Sequence, residues 1–464
     1  MTILNSTLNW GVFLKVKKLM CAVSALILTA VMLGGCSESS FGEQALLRPP
    51  RATGDKAEIQ TVIGKEAGGT YTLKYPQNGD YRSAVNLFES DDGTEYAVAL
   101  YSTESDSNMN VSIIAHEDGE WNCLGSFSNS GVGVDRIIFK DINADGKDEI
   151  LVGWSTYNAD VNTLSAYSME NETVREMVID ETYSNIIISD ITGDKTEDIV
   201  LLSLRVNQLP SSVKLLQYSE QEKKPIAKFS LELDSEITAF SNIMVGKINK
   251  GKKGIVIDGE KSGGVLATQV IYFDSDEKKL CNPLVTIADN GSVANDTTRK
   301  DVITSRDIDE DGIIEVPVVT SMAAPRDVDA GTVCSMTSWR QLHTEDGSLQ
   351  TKLTSIINYT DGYYFIMPDN WSSDVTALND PDNRIITFYI WNSKTSSLGD
   401  KLLTIHRFTR SEWNKAEHND YIMLETVKTN GKEAVIAAQS FHTDAIDSLN
   451  LTKNEIENCI RLIA

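Results

Sequence analysis

The sequence predicts a mainly β fold, a β-propeller of about five four-stranded blades followed by a small α+β domain. A short acidic loop recurs along the chain, and apolar, β-branched runs flank its best copies. Successive copies begin roughly 50 to 60 residues apart, which leaves room for four strands in each unit. Four-stranded units in tandem are typical of propellers, whose blades bury both faces against their neighbours.

The N-terminal segment carries a targeting signal. Lys15, Lys17 and Lys18 precede an apolar run over residues 19–33, which is too short to span a bilayer and is typical of a signal peptide. The run ends in Leu33-Gly34-Gly35-Cys36, which resembles the bacterial lipobox. That resemblance implies cleavage before Cys36 and attachment of lipid, such as palmitate, to its thiol. The alternative is an ordinary secretory signal with a chance cysteine.

Four segments are predicted from these patterns and from changes in composition. The polar run Ser37-Glu38-Ser39-Ser40 and the pair Pro49-Pro50 favour an extended tether after the signal. The predicted segments are a signal peptide at 1–35, a lipidated tether and linker at 36–69, a propeller at 70–356 and an α+β domain at 357–464.

The repeated loop has the spacing of a cation cage. Oxygen-bearing side chains at positions 1, 3, 5 and 9, with a backbone carbonyl at position 7, are ligands suited to calcium. The first copy offers Asp141, Asn143, Asp145, Lys147 (carbonyl) and Glu149. The second offers Asp190, Thr192, Asp194, Thr196 (carbonyl) and Asp198, and lacks glycine at position 6. The third offers Asp307, Asp309, Asp311, Ile313 (carbonyl) and Glu315.

Two other kinds of loop have similar residues, the EF-hand and a polar turn without metal. An EF-hand needs a bidentate Glu at position 12, where this chain has Val152, Leu201 or Val318, so EF-hands are excluded. A polar turn without metal is the remaining alternative, because Asp, Asn and Gly suit turns in any case. Three copies in one register favour structural calcium.

The first copy and the strand after it read Asp141-Ile142-Asn143-Ala144-Asp145-Gly146-Lys147-Asp148-Glu149-Ile150-Leu151-Val152-Gly153. This stretch resembles the FG-GAP or VCBS repeat. This family is known from the integrin alpha propeller and from many bacterial surface proteins. The resemblance covers about residues 70–355 and implies calcium in the loop that joins the first two strands of a blade. No metal is assigned to the unit near Glu89 or to the lysine-rich copy at Lys247–Gly254, which depart from the pattern.

After about residue 357 the acidic loops stop. Strands are predicted near 384–392, 402–408, 420–427 and 433–438, with a short helix opened by Ser411. A capping box of Thr452 and Glu455 predicts a final helix with an apolar stripe of Ile456, Ile460 and Ile463. This region resembles the module that accompanies such propellers in lipoproteins of low-GC Gram-positive bacteria.

Charge and cysteine content argue against a nucleic-acid-binding protein and against a zinc site. The formal net charge is −25, and acidity of this size argues against nucleic acid as a partner. Beyond the signal and Cys36, the cysteines are Cys123, Cys281, Cys334 and Cys459, whose spacing matches no zinc motif. Buried free thiols are the favoured interpretation, and a disulfide such as Cys281 to Cys334 is the alternative.

The sequence favours a binding protein over an enzyme. No local metal-protease, nucleophile-elbow or P-loop motif is present. We expect a monomeric protein that is anchored by lipid to the extracytoplasmic face of the cell membrane. Its expected role is binding, adhesion or scaffolding, with an envelope protein or glycan as the partner. The alternatives are a hydrolase or lyase of envelope polysaccharide and an envelope assembly or sensory lipoprotein. The ligand-binding residues are not identified.

Overall fold

The structure is a computed structural model that describes residues 54–463 apart from 91–92, 105–107, 171–172, 291, 372, 416–417, 419 and 430–431. The chain divides into two compact units, residues 1–61 and 62–464. Helix α1 (Asp55–Glu66) lies across this division, and all the β-strands of the described residues belong to the second unit. In the described part of the chain, no helix combines the length and apolarity needed to cross a membrane.

The second unit is mainly β, with antiparallel sheets that follow one another along the chain. Sheet 1 contains β1 (Tyr71–Leu73), β2 (Val85–Glu89), β3 (Glu95–Thr103), β4 (Met109–Glu117) and β5 (Glu120–Asn129). Sheet 2 contains β6 (Gly133–Lys140), β7 (Glu149–Ser155), β8 (Asn162–Glu170) and β9 (Thr173–Tyr183). The apolar runs around residues 141–149 predict strands at about 135–140, 149–155, 162–168 and 174–179, and the four strands of sheet 2 cover these ranges.

Sheets 3 and 4 repeat the same up-and-down order. Sheet 3 contains β10 (Asn185–Ile188), β11 (Ile199–Ser203), β12 (Ser212–Ser219) and β13 (Lys224–Glu232). Sheet 4 contains β14 (Ile237–Lys247), β15 (Lys253–Lys261), β16 (Val265–Asp274) and β17 (Lys279–Cys281). A two-stranded hairpin, β18 (Thr286–Ile287) with β19 (Val293–Ala294), then leads to the next sheet.

The last strand of the chain returns from beyond sheet 6 to the edge of sheet 5. Sheet 5 contains β20 (Val316–Ser321), β21 (Ser335–His343), β22 (Ser348–Asn358) and β23 (Tyr363–Met367). Sheet 6 contains β24 (Val375–Asp380), β25 (Ile385–Asn392), β26 (Ser397–Thr409), β27 (Ile422–Thr429) and β28 (Lys432–Ser440), in the order β24-β25-β26-β28-β27. Strand β29 (Ile460–Leu462) returns to pair with β23 of sheet 5.

The sheets pack face to face in chain order, because alternate residues of a central strand enter different cores. In β7, Ile150 and Val152 pack with sheet 1, whereas Leu151 packs with sheet 3. In β15, Ile255 and Ile257 pack with sheet 3, whereas Val256 packs with sheet 5. Each such sheet is therefore buried on both faces, which is the relation that neighbouring blades of a propeller require.

Sheets 5 and 6 share one core. Ile356 and Phe365 of sheet 5 cluster with Phe388, Leu403 and Ala438 of sheet 6. The domain boundary predicted between residues 356 and 357 falls inside β22, which pairs with β23. The division into a propeller and an α+β domain stays a prediction, and the C-terminal region is richer in strand than the sequence suggests.

The C-terminal helices are shorter than predicted. Helix α2 (Arg410–Trp413) is capped by Thr409, two residues before the predicted Ser411, since the side chain of Thr409 accepts from the backbone N–H of Glu412. Helix α3 (Lys453–Cys459) has the predicted capping box of Thr452 and Glu455. It ends before Ile460, which begins β29, so the predicted helical stripe holds only at Ile456.

The tryptophans and cysteines are mainly structural. Trp154, Trp339 and Trp371 are almost completely buried, so they pack the cores of the sheets. Within the described residues, Cys123, Cys281, Cys334 and Cys459 are free thiols, and Cys334 is the buried one of these. Burial raises the pKa of the Cys334 thiol to about 12, so it is held protonated and unreactive.

Candidate metal centres

The three acidic loops occupy equivalent places in sheets 2, 3 and 5. Loop one (residues 141–149) joins β6 to β7, and loop two (190–198) joins β10 to β11. Loop three (307–315) leads into β20. Before loop three, the expected first strand is reduced to an isolated bridge between Arg306 and Glu315. Cys36, the predicted lipidation site, lies outside the described residues.

The loops share one backbone conformation, with positive φ at positions 4 and 6. The angles are 62° at Ala144 and 86° at Gly146, 78° at Gly193 and 74° at Lys195, and 62° at Glu310 and 82° at Gly312. Loop two therefore adopts the same turn with lysine where the other loops have glycine. The missing glycine noted in the sequence does not change the path of the chain.

The first carboxylate of each loop organises the turn. Asp141 accepts hydrogen bonds from the backbone N–H groups of Ala144 at 2.7 Å and Gly146 at 2.9 Å. Asp190 accepts in the same way from Gly193 at 2.6 Å and Lys195 at 3.0 Å. In loop three, Asp307 accepts from the N–H groups of Asp311 at 3.1 Å and Gly312 at 2.8 Å. These bonds account for the turn whether or not an ion is bound.

The carboxylate at position 9 is buried in every loop. Glu149, Asp198 and Glu315 are 1 %, 0 % and 0 % exposed. Each accepts a hydrogen bond from the backbone N–H of position 2, at 3.1, 2.8 and 2.9 Å respectively. Burial raises the pKa of all three carboxyls, that of Glu149 to about 7. A cation beside such a group would favour its charged form.

A polar side chain from the third strand of the sheet reaches each loop, and the sequence analysis did not identify these residues. The Ser168 hydroxyl donates to Glu149 at 3.0 Å. Gln217 donates to Asp194 at 2.9 Å and to Asp198 at 2.8 Å. Gln341 donates to Asp311 at 3.1 Å and to Glu315 at 2.7 Å. The contacts link residues 19 to 30 positions apart, so local spacing gives no signal for them.

Loop three also receives a lysine. The ammonium of Lys352, on β22, lies 2.9 Å from Asp311 and 3.3 Å from Asp309. Its hydrogen bond with Asp311 raises the pKa of Lys352, whereas the pKa of Asp311 is lowered because this bond and others outweigh desolvation. Lys352 thus places positive charge at the carboxylate cluster.

The donor chemistry of the loops fits a hard cation. One oxygen each from Asp307, Asp309 and Glu315 lies within 4.8 Å of the others, a spread that ligands at the 2.3–2.6 Å typical of Ca²⁺ can span. In loop one, the Asn143 amide N–H donates to Asp145 at 3.1 Å and to Glu149 at 2.7 Å. A cation there would require the amide oxygen to face the carboxylates instead. The residues of loops one and three could therefore hold calcium, with side-chain rearrangement in loop one.

The remaining predicted ligands lie in the loops but have roles as turn residues. Asp145, Asp194 and Asp311 accept from the backbone N–H of Lys147, Thr196 and Ile313, at 2.9, 2.8 and 2.9 Å. Thr192 donates to Asp198 at 3.2 Å. The assignment of the predicted residues as metal ligands stays a prediction.

Comparison with known proteins yields only distant structural similarity. No family model matches the chain, and no curated protein matches it. Among solved structures, Sqt1 of Saccharomyces cerevisiae is 11 % identical, with TM-score 0.30 and coverage of 79 % of this chain and 86 % of that one. The exo-β-1,3-galactanase of Phanerochaete chrysosporium, solved with galactose, is 11 % identical, with TM-score 0.27 and coverage of 84 % and 91 %. The Dos1 propeller is 12 % identical, with TM-score 0.27 and coverage of 80 % of each chain.

Proposed function

We propose that this chain is a calcium-stabilised β-propeller that acts as a binding protein at the extracytoplasmic face of the membrane. The observation that carries the proposal is the common geometry of the three loops. Two positive-φ positions, a capping aspartate and a buried carboxylate recur in the same order in each loop. A turn needs only the first two of these features, so the buried carboxylate is what favours a cation.

Calcium would act as a structural ion. Each loop gathers carboxylates beside a buried one, and without a cation their mutual repulsion opposes ionisation. Binding of the ion to the folded chain alone would stabilise it by linkage. The loops lie between strands of the sheets, so the ion would hold neighbouring strands together at that edge.

The proposed anchor and the proposed binding surface use residues other than those of the loops. Lipid on Cys36 would tether the chain to the membrane through the segment at 36–69. In sheets 2 and 3, the loops from the second strand to the third leave from the strand ends opposite the acidic loops. The loop between β7 and β8 exposes Tyr157 at 96 %, and the loop between β11 and β12 exposes Leu209 at 72 %. Exposed apolar side chains on loops of a rigid scaffold are suited to contact a partner.

Calorimetric unfolding of the full-length chain, with calcium or with excess chelator, tests the structural role. We expect calcium to raise the melting temperature, and we expect the double variant Asp141→Ala with Asp307→Ala to lose most of that rise. The variant removes two turn caps, so it will also be less stable in chelator. The decisive quantity is therefore the difference between the two conditions, measured for each protein.

A matched control is Asp276→Ala, which removes an exposed carboxylate in the turn between β16 and β17. It should keep the full calcium-dependent rise. A melting temperature that calcium leaves unchanged in the natural chain would contradict the proposal and leave the loops as turns. The hydrolase or lyase and the assembly or sensory lipoprotein stay as alternative predictions.

A further inference from the structure

Sheet 6 has a cleft on the face opposite its core. Phe388, Leu403 and Ala438 point into the core shared with sheet 5. Their neighbours along the strands face the other way and line a cleft of about 710 Å³. Cavities of roughly 300–1,000 Å³ are typical of small-ligand sites. The cleft lies within the second unit and away from the acidic loops.

The floor of the cleft is a row of hydrogen-bonding side chains. Thr387, Thr404 and Gln439 are direct cross-strand partners on β25, β26 and β28, so they stand side by side on one face. Thr404 is 8 % exposed, and its hydroxyl has no hydrogen-bond partner among the residues that the structure describes. A buried hydroxyl without a partner is costly, and a ligand hydroxyl in the cleft could satisfy it.

The walls of the cleft are aromatic. Tyr389, Tyr421 and Phe441 line it, and all three are half-buried. The ammonium of Lys401 lies 5.9 Å from the centroid of the Phe441 ring. Half-buried rings beside a polar floor suit a ligand that has one apolar face and one hydroxylated edge.

The rim of the cleft is acidic. Asp380 and Asp382, at the end of β24 and in the turn before β25, line the cleft together with Lys401. Hydrogen bonds from the side chain and backbone of Asn383, at 2.7 and 3.1 Å, hold the pKa of Asp380 below its ordinary value. Asp380 is therefore ionised and held in place. Two carboxylates against one ammonium disfavour an anionic ligand.

From this arrangement we infer that the cleft of sheet 6 binds a neutral oligosaccharide. A purely apolar ligand would leave the Thr404 hydroxyl and its neighbours unpaired, and the carboxylates of the rim disfavour an anion. The row of hydroxyl and amide groups on the floor suits a ligand that carries several hydroxyls. A sugar ring stacks its C–H face on an aromatic ring and directs its hydroxyls to threonine, glutamine and aspartate side chains. The site is independent of the calcium loops, because it shares no residue with them.

Isothermal titration of the full-length chain with cellohexaose, maltohexaose, chitohexaose and mannohexaose tests the inference. At least one of the four should bind with a dissociation constant between about 1 µM and 1 mM, the range that an open site of this size supports. Binding of none of them at millimolar concentration would overturn the inference.

Substitutions then locate the site. Tyr389→Ala should abolish binding, and Thr404→Val should weaken it roughly fivefold to tenfold through loss of one hydrogen bond. Thr404→Val should at the same time unfold at an equal or higher temperature, since it removes an unpaired buried hydroxyl. Such opposite effects on binding and stability are not expected from a residue with a purely structural role.

The control is Tyr75→Ala, which removes an exposed tyrosine between β1 and β2 of sheet 1 and should leave oligosaccharide binding unchanged. If Tyr389→Ala fails to fold, Thr404→Val decides the matter alone. Unchanged affinity in Thr404→Val would overturn the inference, as would equal losses in Tyr75→Ala and in the cleft variants.

Discussion

Lys195 adopts a backbone conformation that disfavours a side chain. Its φ of 74° lies in the left-handed region, where loops one and three have glycine. A residue with Cβ pays roughly 1–2 kcal/mol in this region. The surrounding hydrogen bonds, including that from its N–H to Asp190 at 3.0 Å, keep the turn in spite of the strain.

Lys195→Gly should therefore stabilise the chain by about 0.5–1 kcal/mol, less than the full strain because glycine also gains freedom in the unfolded state. The matched reverse change is Gly146→Ala at φ 86°, where a Cβ would meet no atom within 4 Å. This change should destabilise by a similar amount through backbone strain alone. Urea unfolding in chelator measures the change in unfolding free energy for both variants. Changes of the same sign would contradict the explanation by backbone strain.

The ammonium of Lys352 places a positive charge beside the carboxylates of loop three. If calcium binds there, the ammonium near Asp309 and Asp311 competes with it. Lys352→Met should raise the affinity of this loop for calcium roughly twofold to fivefold, in line with the small free energies of exposed ion pairs. Calcium titration by calorimetry measures the change.

The control for this prediction is Lys453→Met, which removes a lysine of α3 that pairs with Glu457 and should leave calcium affinity unchanged. The prediction rests on the proposed calcium sites. Calcium binding that Lys352→Met leaves unaltered would refute the competition while leaving the sites themselves intact.

At the scale of elements, the buried ion pair of Arg299 and Asp258 holds the segment between sheets 4 and 5 against strand β15 of sheet 4. The Arg299 guanidinium lies 2.8 Å from Asp258 on β15, and both side chains are fully buried. Arg299 also donates to the carbonyl of Ile303 at 2.7 Å, and Asp258 accepts from the N–H of Ser305 at 2.7 Å. The pair therefore fixes residues 299–305, just before loop three.

Arg299→Met should destabilise the chain by about 3–5 kcal/mol, because it leaves the Asp258 carboxylate buried without its partner. Adding Asp258→Asn should recover part of this loss by removing the second charge. Urea unfolding of the single and double variants measures the difference. Lys223→Met, in an exposed pair with Glu220, should change stability by less than about 0.5 kcal/mol.

The elements with local signals were predictable, and the contacts between distant elements were not. The strands of sheet 2 and the three loops follow from apolar runs and turn residues that are close together in the chain. Gln217, Gln341 and Lys352 reach the loops from other strands, and no local period marks them. Ile460 fits a helical stripe as well as a strand, and its pairing with Phe365 decides in favour of the strand.

At the scale of the molecule, the core shared by sheets 5 and 6 couples their stability. Phe388→Ala, at a site that is 0 % exposed, should destabilise by about 3–5 kcal/mol. Because Phe388 packs against Phe365, the loss should appear in both sheets. Native-state hydrogen exchange should then show a similar fall in protection in β20 to β23 of sheet 5 and in β25 of sheet 6.

The outcome also decides between one and two folding units after residue 316. If residues 357–464 formed an independent domain, protection would fall at β25 and its neighbours while β20 and β21 stayed unchanged. The pairing of β22 with β23 across the predicted boundary makes the joint response the expected one.

The pairing of β29 with β23 has a consequence for the order in which the sheets can form during synthesis. A chain that emerges from the ribosome with its N-terminus first can complete sheets 1 to 4 one after another, because the strands of each are contiguous. Sheet 5 has to wait, with the edge of β23 unpaired, until the whole of sheet 6 and α3 have emerged. During that interval the open edge is a template for pairing with another chain, so protection by a chaperone matters most at this late step.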